Sequence, residues 1–368
     1  MFHLRTKNIS KSILLFFIVV LFLVLTPAAY SEGKIKIGVS LPLTGPGSVW
    51  GTDIRNALEF ARETLGQSDL EFDFQDDACD PKTALTAANW FISVAKIQYV
   101  LGFGCSGTLL ATADLYSQKK IVQITSSASA EKITGLGPYT YRTFPSDRIA
   151  AQKLFEHISK RHKRIGILTE TSDYTDGFVD SLASANSEGK VTFINEAVIS
   201  DLSDYRSNLL KLRSQKIDAI IINSQMENGF IGMLRQIHQQ QLDLPIYGIY
   251  FPSSKTLIKE AGALLEGVEF VDLPSPSEVL TSEGKKLYSQ YLARYGEPNT
   301  IPLLVVTTFE SFRALSSAIK SKQSVLNYLD QNTFEGLTGP WSFDKNGEIQ
   351  GLAPVMKVIK QGAPAAIF

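Results

Sequence analysis

The stretch "YVLGFGCSGT", residues 99–108, decides the fold. An apolar run from Tyr99 to Phe103 stops at Gly104-Cys105-Ser106-Gly107, and helical spacing takes over from Leu109 to Tyr116. A buried strand that turns through small polar residues into a helix is the repeating joint of a parallel α/β sheet. The same joint recurs upstream. "KIKIGVSL" alternates Ile35, Ile37 and Val39, a Gly/Pro loop follows, and Ile54, Leu58, Ala61 and Leu65 recur at helical spacing. "EFDFQDD" reads as a second strand, and Asp80-Pro81 as an N-cap with proline in the first helical position. "KIVQIT" after the central joint is a fourth strand.

A second series begins near Ser146. "RIGILTE", "VTFINEAV", "IDAIIIN" and "LPIYGI" read as strands, separated by helices over 174–185, 205–215 and 230–240. Residues 281–319 are strongly helical, and "GPWSFDKNGEIQGLAPVMKVIK" at 339–360 reads as a hairpin turning at Asp344–Gly347. The Pro/Ser stretches "TFPSD" and "DLPSPSE" look like crossovers between two α/β series. A chain of 368 residues also exceeds a typical single core.

Arg5, Lys7 and Lys11 precede an apolar run from Ile13 to Leu25, and small residues follow up to Ser31. This pattern predicts a secretory signal peptide over residues 1–31, cleaved near Ser31, and an exported protein. The run falls short of the roughly 20 apolar residues that span a bilayer. Cleavage would remove three basic residues and no acidic one from a chain of formal charge -1, which speaks against a nucleic-acid partner. Two cysteines, Cys79 and Cys105, in an exported chain read as one disulfide, with two buried thiols as the alternative. Neither a metal site nor a cofactor is expected, since the few Cys and His residues show no ligand spacing and no phosphate-loop or dinucleotide fingerprint is present.

Ser106 admits three readings. As a nucleophile it lacks the final glycine of Gly-x-Ser-x-Gly, and His157, His162 and His238 lie in no motif. As a ligand-binding hydroxyl it sits where a strand's carboxyl end meets a helix N-terminus, a place that favours anions. As a plain helix cap it needs no ligand. The loops "LTGPGSVWG", "TSSASAEK" and "LTETSD" also follow strand ends, the edge at which open α/β sheets bind ligands. They add Trp50, Ala128, Ser129 and Tyr174 as candidates.

"KIGVSLPLTGPGSVWGTDIRNALEFA", "DDACDPKTALTAAN", "YVLGFGCSGT", "QITSSASAEKIT" and "TETSDYTDGF" resemble, in order, the periplasmic leucine/isoleucine/valine-binding proteins. These are receptors of ABC importers for hydrophobic amino acids and relatives. The resemblance implies a type I periplasmic binding protein with α/β architecture: two doubly wound parallel-sheet lobes joined by three crossovers. It implies lobe 1 over 32–146 with 275–340, and lobe 2 over 147–274 with 341–368. It further implies a Cys79–Cys105 disulfide, no enzymatic activity, and a monomer that passes its ligand to permease subunits. Ser106, Ser127, Ala128 and Ser129 would hold the ligand's polar head. Trp50 would pack on its body, and Tyr174 and Tyr250 would close from lobe 2. One departure stands out: the acid that pairs with an ammonium in amino-acid receptors is replaced in "YGIYFPSS" by Tyr250 or a neighbour, leaving Glu170, Asp173 or Glu227 as substitutes. A receptor for short amides or urea-like compounds, and an exported serine hydrolase using Ser106, are the alternatives.

Overall fold

The first sheet is built around the joint at residues 99–108. A computed structural model describes residues 34–199 and 204–367; the expected signal peptide and its cleavage point near Ser31 lie outside the described residues. Strands β1 (Ile35–Leu41), β2 (Leu70–Asp76), β3 (Tyr99–Gly102), β4 (Val122–Thr125) and β5 (Thr140–Arg142) form a five-stranded sheet in the order β2-β1-β3-β4-β5. The pairs β1–β3, β3–β4 and β4–β5 are parallel. Gly102 is needed at the end of β3. Its φ is +111°, and a Cβ there would lie 2.4 Å from the Ser40 carbonyl oxygen of β1. This close approach lets the Phe103 amide donate to Ser40 O at 2.7 Å, so that β1 and β3 end level with each other.

The second sheet contains β6 (Arg164–Glu170), β7 (Thr192–Val198), β8 (Ala219–Asn223), β9 (Ile246–Ile249), β10 (Glu269–Asp272), β14 (Val355–Lys360) and β15 (Ala363–Ala366). Their order is β15-β14-β10-β9-β8-β6-β7. The strands from β6 to β10 pair in parallel, whereas β14 and β15 close one edge antiparallel. A small antiparallel sheet holds β11 (Thr333–Gly336), β12 (Gly339–Phe343) and β13 (Ile349–Gln350). The expected turn at Asp344–Gly347 joins β12 to β13, but the following apolar strand leaves for the second sheet.

The chain therefore passes between the sheets three times, after Arg142, Asp272 and Gln350. Residues 341–350 stay with the first sheet, where Glu348 bridges to Arg142, and only 355–366 join the second. The hairpin buries Trp341 and Phe343 against Phe334 and Tyr141, which holds it on the first side.

Both sheets belong to one compact unit, Lys36–Phe368. Helix Leu304–Lys320, apolar on nearly every side, packs against helix Ser48–Thr64. It also pins the loop after β4: Thr307 Oγ1 donates to Ser126 O at 2.9 Å, and Thr308 Oγ1 to Ser126 Oγ at 2.9 Å.

Candidate functional site

Each strand's carboxyl end delivers a piece of one site. Helix Ser48–Thr64 follows β1 and carries Trp50 in its first turn. Its Gly51 lies so close that a Cβ would stand 2.1 Å from Pro42 O. The paired aspartates of "DDACD" hold this rim. Asp76 Oδ1 accepts from the Leu43 and Ala78 amides at 2.8 and 2.9 Å. Asp77 accepts from Ser40 Oγ at 2.8 Å and from the Cys79 amide at 2.9 Å. Ala78 and Cys79 take positive φ values of 49° and 59°, which places Cys79 to bond Cys105, with 5.5 Å between Cα atoms.

Ser106 does not cap its helix. Helix Ser106–Gln118 has Cys105 as its N-cap residue with no side-chain cap hydrogen bond, so its first amides receive no cap from that side chain. Ser106 Oγ instead accepts from the Ser129 and Ala130 amides, both at 3.2 Å, fastening the joint after β3 to the loop after β4. Ser127 Oγ donates to Gly104 O at 3.3 Å. Ser129 Oγ donates to Asp147 Oδ2 at 3.1 Å.

From the second sheet, helix Asp173–Ala185 starts on a Ser172 cap and carries Tyr174 in its first turn. Helix Glu227–Gln239 begins three residues earlier than the spacing predicted. The loop before it places Gln225 and Met226 in the cleft, and its first residue is Glu227. Tyr250 follows β9 with φ 49° and ψ -56°, a backbone state that is costly for a bulky residue. The conformation is held by its amide donating to Val271 O at 2.9 Å. It directs the Tyr250 hydroxyl to Asp147 Oδ1 at 3.2 Å and the ring edge-on to Phe144 at 5.2 Å.

All seven residues selected from the sequence line one cavity: Trp50, Ser106, Ser127, Ala128, Ser129, Tyr174 and Tyr250. Gly104 and Cys105 also line it, and Gln225, Met226, Phe144 and Phe251, which were not found by sequence reasoning, complete the wall. The cleft is closed. Trp50 Nε1 donates to both Glu227 oxygens at 3.1 and 3.2 Å across it, Trp50 and Phe251 meet edge-on at 5.9 Å, and Gln225 Nε2 reaches Cys79 Sγ at 3.6 Å.

Two carboxylates stand one layer behind the wall. Glu227 is 4 % exposed, and burial pushes its carboxyl up to about 7 against the opposing pull of its own amide and of Trp50. Asp147 is fully buried, and burial pushes it up to about 7 while Arg142, Ser129 and Tyr250 pull the other way. The other two substitutes named from the sequence go elsewhere. Glu170 accepts from the Gln225 amide at 2.6 Å, and Asp173 lies beside Gly107 at the rim. The signal for Asp147 was Ser146-Asp147 ahead of Ala150, Leu154 and Phe155, a helix start, though what Asp147 touches is a matter of tertiary structure.

A sheet-end cavity shared by two α/β layers, crossed three times by the chain, is the geometry of a closing receptor. The family profile described as "Periplasmic binding protein" matches residues 34–363. The chain belongs to the periplasmic binding protein family. Among this binding protein's relatives, the leucine-, isoleucine-, valine-, threonine- and alanine-binding protein of Pseudomonas aeruginosa is 26% identical over 341 residues, 88% of this chain and 90% of that one. The Leu/Ile/Val-binding protein of Escherichia coli is 24% identical over 331 residues, 86% and 88% of the two chains. A leucine-binding protein of Thermotoga maritima superposes with a TM-score of 0.83 at 22% identity, covering 91% of this chain and 98% of that one. A solute-binding protein of R. palustris in complex with benzoate gives 0.80 at 18%, covering 91% and 96%. These structures share the fold of two α/β lobes. No helix among the described residues is long and apolar enough to cross a membrane.

Proposed function

We propose that this binding protein is the periplasmic solute receptor of an ABC importer, exported with loss of residues 1–31, and that it captures a small amino acid or related solute by closing its cleft. It acts as a monomer and hands the ligand to permease subunits. Lobe 1 comprises the first sheet with helices 282–320 and the small hairpin sheet, and lobe 2 the second sheet with its helices. Ser106, Ser127, Ala128 and Ser129 hold the ligand's polar head, Trp50 packs on its body, and Tyr174 and Tyr250 close over it. The observation that carries this reading is that seven residues chosen for ligand binding, drawn from both lobes, line one cavity closed by the Trp50–Glu227 bond. The Ser106 hydroxyl is engaged by two backbone amides. His157, His162 and His238 are engaged with Glu269, Tyr247 and Leu264, so a receptor explains Ser106 better than a hydrolase does.

A thermal-shift screen of amino acids, short amides and aromatic acids tests the reading. A solute at about 100 times its Kd stabilises the native state by about 2.7 kcal/mol, so at least one compound raises Tm by several degrees. Absence of any shift, together with a measured hydrolysis that Ser106→Ala abolishes, would refute it.

A further inference from the structure

The cleft lies at the carboxyl ends of the strands. The opposite end of the first sheet carries a groove that solute binding does not use. Its floor is formed where β3 and β4 begin: Ile97, Ile121 and Val122 are each 4 % exposed. Half-buried Ile92, Val325 and Leu326 make its apolar walls. Lys96, Lys119 and Lys120 stand exposed along it. Every one of these residues belongs to the first lobe.

The groove is unbalanced in charge. Among the described residues no acid lines it. The ammonium groups of Lys96, Lys119 and Lys120 have no partner among the described residues. Elsewhere on the surface Lys190, Lys211 and Lys320 are paired, with Glu188, Glu196 and Asp69. Tyr99 and Tyr139 add two half-buried phenols whose hydroxyls also have no partner there. A phenol is protonated at neutral pH and can donate. An apolar floor edged by unpaired cations is built like one half of a protein interface, with a desolvated centre and a polar rim, and its charge selects an acidic counterpart.

Shape decides what carries the acids. The floor is nearly inaccessible while the lysines are exposed. A flat anionic bilayer would meet the ammonium groups and leave the floor wet. A polypeptide can pass apolar side chains between the lysines and set carboxylates on them.

We propose that this groove docks an acidic amphipathic segment of a partner protein. Its apolar side chains lie against Ile92, Val122 and Leu326, and its carboxylates meet Lys96, Lys119 and Lys120. Because one lobe supplies the whole surface, at the end away from the cleft, the segment binds whether the cleft is open or closed.

The probe is a fluorescein-labelled peptide of glutamate and leucine, about 18 residues long so that it forms a helix, with its leucines on one face. Its binding to the protein is followed by fluorescence anisotropy. One-to-one binding is expected, weakening as salt is raised. Lys96→Glu, Lys119→Glu and Lys120→Glu together should weaken it by about tenfold or more. Lys163→Glu, Lys255→Glu and Lys259→Glu, exposed lysines of the second lobe, make the same change in net charge and should leave it within about twofold. Val325→Asp, which charges the apolar wall, should weaken it by about tenfold. Circular dichroism confirms that each variant is folded. Equal losses in the two triple variants would show attraction to net charge alone and overturn the proposal. Unchanged binding in folded Val325→Asp also overturns it, since the apolar wall would then play no part. Failure of the peptide to bind overturns it as well; if phosphatidylglycerol vesicles bind instead and the first triple variant abolishes this, the groove meets a lipid surface. No residue of the cavity is altered, so each of these outcomes leaves the receptor reading untouched.

Discussion

Closing the cleft should take up a proton at Glu227. In the closed form Trp50 covers this carboxyl, and burial lifts it from an ordinary 4.5 to about 7; a cleft that opens at the Trp50–Glu227 bond should return it to water. The groups that face it are Trp50, Ser254 and its own backbone amide, with Asp53 adding like charge. Because the closed-state value lies above the open one, closure is favoured in full below the ordinary carboxyl range and weakens as pH rises through about 7. Well above that point the ionised acid costs the closed form about 3 kcal/mol. Between about pH 6 and about pH 8 the difference is about 1.4 kcal/mol, so ligand affinity falls about tenfold over that interval. Glu227→Gln keeps an oxygen to accept from Trp50 Nε1 and removes the ionisation. Calorimetric affinities measured for both proteins across this range isolate the effect, since Asp147 titrates in both and cancels in their ratio. The wild-type-to-variant ratio of Kd should rise about tenfold with pH. Parallel pH profiles, with a constant ratio, would refute the linkage between Glu227 and closure.

Other perturbations bear on the rest of the site and fold. Ser106→Ala removes the donor to the ligand and strands the Ser129 and Ala130 amides; affinity should drop by about tenfold to a hundredfold, with titration calorimetry as the check and unchanged affinity counting against the donor role. Replacing Cys79 and Cys105 together by serine opens a loop with a sequence separation of 26 and should cost about 3 kcal/mol, read as a lower urea midpoint; a midpoint equal to the wild type would contradict that. Gly102→Ala forces a Cβ to 2.4 Å from Ser40 O at φ +111° and should lower stability by more than about 2 kcal/mol, seen as a loss of Tm; a neutral substitution would show that β1 and β3 can part at low cost.

The alternation of apolar runs with helical spacing was legible because strand and helix bury their faces with different periods. The joint at 99–108 and the Asp80-Pro81 helix start fell where local chemistry placed them. β5 and β10 were not read from the sequence, although the comparably short β3, β4 and β9 were; each is a strand because a neighbour supplies the ladder. Helix Glu227–Gln239 begins with Glu227-Asn228-Gly229, which carries no apolar repeat, so the spacing started it late and hid that Glu227 stands in its first turn.

The sequence by itself carried the two α/β series and the strand-end loops, since each depends on patterns a few residues long; of the cavity residues, Ser127 and Tyr250 were reached only through the resemblance to a family. Only the tertiary structure decided how the site is charged. Asp147 meets Ser129 and Tyr250 from positions 18 and 103 residues away, and Trp50 meets Glu227 across 177. Their protonation is set by burial between lobes, a property no local stretch possesses. The path of the chain after the Asp344–Gly347 turn was decided in the same way, because β14 could pair with either sheet by its own pattern and joins β10 where an open edge is offered.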